Sequence, residues 1–194
     1  MPTKGFIMAN DVLVGAPLLA TGGVQAADTT VTLPTDADTA LTGFTALGLI
    51  GEDGLSETAD RSTEQIRAWG GSLARVVQTE FGLTYSFQFL ETNADVLREI
   101  HGVDNVEVDD TTTPGVESLA IKINQATLPQ RAYVFEMKDG DAKIRIVLPN
   151  AQITNVGDIS YSHGDAIRYE VEVTAYPDES GNEAYKFISR PTTV

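Results

Sequence analysis

The chain has 194 residues, 42% hydrophobic and 21% charged, with no cysteine and a formal net charge of −15. That apolar content supports a real core and excludes a disordered chain, and a protein of this size folds without a metal or disulfide to hold it. The missing thiols exclude disulfide frameworks, thiolate nucleophiles and sulfur-ligated metals, and the acidity disfavours adhesion to a phosphate backbone or an anionic membrane.

Residues 1–27 are apolar but rich in Gly and Pro, and they read as an N-terminal arm or irregular first strand. Lys4 ahead of an apolar run, and the small residues Val24-Gln25-Ala26-Ala27, mimic a secretory leader. A leader needs about 7–15 uninterrupted apolar residues, and Asn10, Asp11, Gly15, Pro17, Gly22 and Gly23 break this one. No stretch reaches the roughly 20 apolar residues of a membrane helix, so the sequence predicts a soluble chain that does not bind membranes. Thr29 to Leu33 alternates and is β-branched, predicting a strand closed by Pro34. Residues 35–64 read as a long loop with a short buried anchor at Phe44, Leu47, Leu49 and Ile50.

The strand signal strengthens over 66–190, the predicted β core. Leu83, Tyr85, Phe87 and Phe89 alternate with Thr84, Ser86 and Gln88. The same period of two recurs at Leu119, Ile121 and Ile123, at Ile144, Ile146 and Leu148, and from Ile167 through Tyr169, Val171 and Val173 to Ala175. A sheet with one dry and one wet face requires this pattern. Asp139-Gly140 joins the strands on either side as a hairpin, and Gly164 and Ser180-Gly181-Asn182 mark further turns. One helix is predicted near 93–101, capped by Asn93, striped by Val96, Leu97 and Ile100, and stopped by Gly102. The predicted fold is mainly β in a single domain: an antiparallel sandwich or half-barrel with one short flanking helix, an extended arm and a long loop.

Little in the sequence supports catalysis, and no catalytic, cofactor-binding or metal-binding residue is predicted. His101 closes the predicted helix, where an imidazole is ordinary. His163 lies in Ser162-His163-Gly164-Asp165, a polar turn too local to form a triad. Asp104, Glu107, Asp109 and Asp110 cluster without the spacing or closing Glu of a calcium hand, and Val106 and Val108 between them indicate a strand edge. Trp69 beside Gly70-Gly71 reads as a packing anchor rather than a ligand platform.

The order of motifs along the chain resembles a known family. Asp11-Val12-Leu13-Val14-Gly15-Ala16-Pro17, Leu33-Pro34-Thr35-Asp36-Ala37 and Phe44-Thr45-Ala46-Leu47-Gly48-Leu49-Ile50 are similar to segments of the major tail (tail tube) proteins of actinobacterial siphophages. The likeness continues through Gly54-Leu55-Ser56-Glu57, Ile66-Arg67-Ala68-Trp69-Gly70-Gly71 and Phe87-Gln88-Phe89-Leu90-Glu91-Thr92-Asn93, and through residues 157–187. This resemblance implies a structural virion protein whose copies form hexameric rings. The rings stack into a tail tube around a tape measure protein, meet tail-end proteins, and convey the genome at ejection, after synthesis in the host bacterial cytoplasm. It further implies inter-ring contacts through the arm and the long loop, at Phe6, Ile7, Leu18, Leu19, Phe44 and Leu47. Asp158, Glu170 and Glu172 become candidates for an acidic lumen that DNA passes without binding. The alternative is a secreted acidic β-sandwich module that binds carbohydrate or acts as an adhesin.

Overall fold

The alternating segments at residues 83–89, 144–148 and 169–175 lie on antiparallel strands, and their apolar rows meet in one core. The computed structural model of the protein describes residues 12–18, 22–113 and 115–191. In chain order these hold β1 (Ala16–Pro17), β2 (Gly23–Asp28), β3 (Thr45–Leu49), β4 (Ser56–Arg67) and β5 (Leu73–Phe89). Helix α1 (Ala94–His101) follows, then β6 (Val106–Asp109), β7 (Ser118–Ile121), β8 (Arg131–Asp139), β9 (Ala142–Val156), β10 (Tyr169–Ala175) and β11 (Tyr185–Ser189). The main sheet runs β3-β2-β8-β9-β10-β5-β4, with β1 added to β8 and β11 to β9. The pair β6-β7 stands apart.

The sheet curls over on itself. Three strand steps separate β8 from β5, which in a flat sheet is about 14 Å. Yet the Tyr85 ring on β5 stacks on Phe135 of β8 at 5.5 Å between centroids, and Phe87 meets Phe135 edge-on at 5.5 Å. Only curvature brings those rings together, and the apolar row of β5 then packs on Tyr133, Ile146, Leu148, Val171 and Val173. Hydrogen bonds from Leu90 N to Leu49 O (3.0 Å) and Gly51 N to Gln88 O (2.8 Å) tie the first edge back to the end of β5. The barrel does not close; the architecture is mainly β and antiparallel, with one α-helix among the described residues.

Helix α1 forms as its sequence requires. Asn93 Oδ1 accepts the Val96 amide at 2.8 Å, Gly102 ends the helix at φ 94°, and Val96, Leu97 and Ile100 enter the core. The Asp139-Gly140 turn joins β8 and β9, as the sequence predicts.

Four expectations are corrected. Residues 29–33 form a turn and irregular chain, because Asp28 Oδ1 accepts the Thr30 amide and hydroxyl, a local bond that competes with sheet pairing. The supposed arm 1–27 contains β2, whose Val24, Ala26 and Ala27 are buried in the middle of the sheet; small residues hid it. Residues 35–64 are not one loop, since β3 and most of β4 lie within them. The predicted alternation at 118–124 yields only the short β7.

What remains irregular, residues 29–44, lies over the second face of β2, β8 and β9. That face buries Ala132, Val134, Val147 and, at 3% exposure, Arg145. The Arg145 guanidinium donates to Glu136 Oε1 at 2.6 Å and to the Asp36 carbonyl at 2.7 Å. Gln25 Nε2 donates to the other Glu136 oxygen at 2.8 Å, so the buried charge is paired and its partner satisfied. Lys143 reinforces the strap with an ion pair to Asp38 at 2.8 Å.

Candidate assembly surface

One element leaves the body altogether. β4 pairs with β5 from Ser56↔Ser86 to Arg67↔Leu73, but β10 supports β5 only from Leu83 to Phe89. The remaining ten positions of β5 and their partners form a two-stranded ribbon projecting about 30 Å at 3.3 Å per residue. Its outer β4 edge and the second edge of β5 over 73–82 have no strand partner among the described residues.

The ribbon is polar enough to stay soluble and apolar enough to need a partner. The core row of β5 runs outward from Tyr85 and Leu83 to Phe81, over whose ring Arg61 sits at 4.3 Å. Beyond a register shift between Ser62 and Thr63, Ile66, Leu73 and Val76 are all about half exposed. At the tip the Ala68 amide donates to Ser72 O (2.8 Å), and Gly70 and Gly71 take φ of 102° and 86°, values that favour glycine. Trp69, immediately before them, is 105% exposed. That overturns its reading as a packing anchor: it touches no core in its own chain. An isolated two-stranded ribbon is marginal in water, and its unpaired edges are templates for another chain.

The other predicted contact residues divide. Phe6, Ile7 and Leu19 lie outside the described residues. Leu18 is half-buried, its amide donating to Glu136 O at 3.2 Å, and Phe44 is half-buried as well. Leu47 is 1% exposed, in the core of its own chain, which takes it out of the predicted contact set.

The three acidic candidates are brought together. Glu170 and Glu172 project from the outer face of β10, in register with Gln88 and Ser86, and the Gly157 amide next to Asp158 donates to Glu170 O at 2.8 Å. Thr84, Thr174 and Thr154 continue this row without a cation, the last two hydroxyls bonding at 2.8 Å. The sheet thus presents a polar, anionic outer surface.

The two histidines lie far apart in the chain. His101 lies at the end of α1, where burial lowers its pKa, and His163 sits in an exposed turn. No group of three or more His, Asp and Glu side chains is placed to hold a metal among the described residues. The Asp109 carboxylate is occupied by Thr111 and Thr112, whose hydroxyls and amides hold it well below the usual carboxylate range. The phenols Tyr85 and Tyr133 are pushed up by burial and then by the carboxylates that accept their hydrogen bonds, Glu57 and Glu99. Both are structural bonds of the core.

The sequence matches the family model of the phage tail tube protein over residues 9–194. The chain belongs to the phage tail tube protein family. It is a structural component of a phage tail. No curated protein is matched. Among solved structures, it is similar to the tube-terminating cap of the anti-feeding prophage, with 12% identity and a TM-score of 0.44, covering 94% of this chain and 99% of that one. It is also similar to a chain of the PVC sheath-tube complex, an extracellular contractile injection system, with 9% identity, a TM-score of 0.44, and coverage of 90% and 93%. No helix of the described residues in this tail tube protein is long and apolar enough to cross a membrane.

Proposed function

We propose that copies of this protein close into hexameric rings that stack as the tail tube of a siphophage, enclosing a tape measure protein and conveying the genome at ejection. The observation that carries this reading is the ribbon, 30 Å or so of half-apolar strand with open edges that the subunit itself does not cover. Pairing between neighbours removes those edges and extends the sheet around a bore. The row of Glu170 and Glu172, with Asp158 beside it, is the surface best suited to line that bore, because it repels phosphate. Half-buried Leu18 and Phe44 remain candidates for ring contacts, together with Phe6, Ile7 and Leu19. The secreted carbohydrate-binding or adhesin alternative gains no support from membership of a tail family.

Electron microscopy of the purified protein tests the reading. Rings or tubes are expected from the full chain. Replacing residues 62–79 by a two-residue turn should leave a folded monomer that makes neither. Tubes from that shortened chain would refute the ribbon's role, and a monomer at every concentration of the full chain would refute self-assembly.

A further inference from the structure

The two ends of β5 differ in charge. Around the ribbon tip, Arg67 and Arg75 have no carboxylate within ion-pair distance among the described residues; Arg67 donates instead to Gly71 O (3.0 Å) and Gln65 Oε1 (2.7 Å). Residues 65–78 contain no acid, in a chain with 28 acidic residues against 13 basic ones. At the opposite end of β5 stand Glu52, Asp53, Asp158 and Glu170, exposed and unpaired among the described residues; the nearby Arg168 is engaged with Asp165 at 3.3 Å. Like-charged clusters of opposite sign at opposite ends of one rod are complementary between copies, not within one.

The acidic end also has the right relief. Two hollows flank the turn at residues 51–54. One, of about 180 Å³, is lined by Asp53, Glu170 and Gln88, whose Oε1 is buried and accepts no hydrogen bond. The other, of about 210 Å³, is mostly apolar, walled by Pro17, Ile50, Leu55 and Met137. The tip bears the matching pair: planar cationic donors and one indole with no contact of its own.

We propose that the Arg67-Trp69-Arg75 tip of one copy seats on the 51–54 turn of a second, with Trp69 in the apolar hollow and a guanidinium between Asp53, Glu170 and Gln88 Oε1. This rests on the self-assembly reading and adds its polarity. A heterologous head-to-tail contact generates an open stack rather than a closed pair. Glu170, at the end of the acidic row, faces the next copy, leaving Glu172 and Asp158 for the bore.

Charge reversal provides the test. R67E/R75E and D53K/E170K chains should each assemble at least about tenfold less readily than the natural chain, the loss typical of a central anchor. Mixed, they should co-assemble, because each tip then meets an opposite base; rescue on mixing excludes misfolding as the cause. Trp69 is the only tryptophan, so its emission should shift to the blue on assembly. If either reversed chain assembles alone as the natural one does, or Trp69 stays solvated in assembled particles, the docking is overturned while self-assembly stands. If the natural chain never assembles, both are overturned. A blue shift produced by DNA or lipid vesicles without assembly also overturns the proposal.

Discussion

Arg145 holds a full positive charge inside the sheet, and its partners show what that requires. Glu136 neutralises it, Gln25 satisfies the remaining carboxylate oxygen, and the Asp36 carbonyl takes a third direction. Truncation to Ala leaves Glu136 uncompensated and releases the strap, so R145A should cost about 3–5 kcal/mol in denaturant unfolding. An Arg145→Met change that costs under about 1 kcal/mol would show that the pair is dispensable. The same strap responds to acid. The Thr39 hydroxyl, then the Thr39 and Asp38 amides, hold the Asp36 carboxyl down to about 2, from an ordinary value of 3.8. Because the folded value is the lower one, this contribution is complete above about pH 4 and is lost as pH falls toward 2. Asp28, Asp38, Asp109 and Asp178 shift in the same direction, so the whole chain weakens over that window. In thermal unfolding followed against pH, D36N should show a shallower decline than the natural chain between pH 4 and 2; parallel curves would remove Asp36 from the account.

Among the elements, those with one dry face were legible in the sequence and those without were not. Leu83 to Phe89 and Tyr169 to Ala175 alternate because half of each strand meets the core. Ile144 to Leu148 is the exception: it is buried on both faces, and its alternation was legible only because the strap face carries the charged Arg145. Ser56 to Arg67 carries no such mark, since a ribbon wet on both faces imposes no period. β2 failed differently: buried on both faces and built from Gly, Ala and Gln, it offers neither alternation nor bulk. Of the candidate surface, the acidic row was readable from period two on β10, whereas exposure of Trp69 was not, because Gly-flanked Trp serves equally as anchor or as tip. Helix α1 was readable from its caps, and N93A should cost about 1 kcal/mol by loss of the Val96 amide's partner. Thermal unfolding unchanged by N93A would mean that packing of Val96, Leu97 and Ile100 fixes the helix alone.

For the whole molecule, charge sets when copies meet. Each carries −15, so approach is opposed by repulsion acting over a Debye length of about 30 Å at 0.01 M salt and about 10 Å at 0.1 M. The proposed tip-to-base contacts act over a few Å, so added salt screens them less than the long-range term. Light scattering should therefore show assembly promoted between those concentrations; suppression would mean that short-range ion pairs dominate. The bonds joining Leu49 and Gly51 to the end of β5 bear on geometry as well as stability. They hold the root of a lever about 30 Å long. A tilt of about 5° at Leu83 moves the tip by about 3 Å, a hydrogen bond's length. The accuracy with which one subunit finds the next is thus set at the far end of the strand, by how rigidly the curl grips its last few residues.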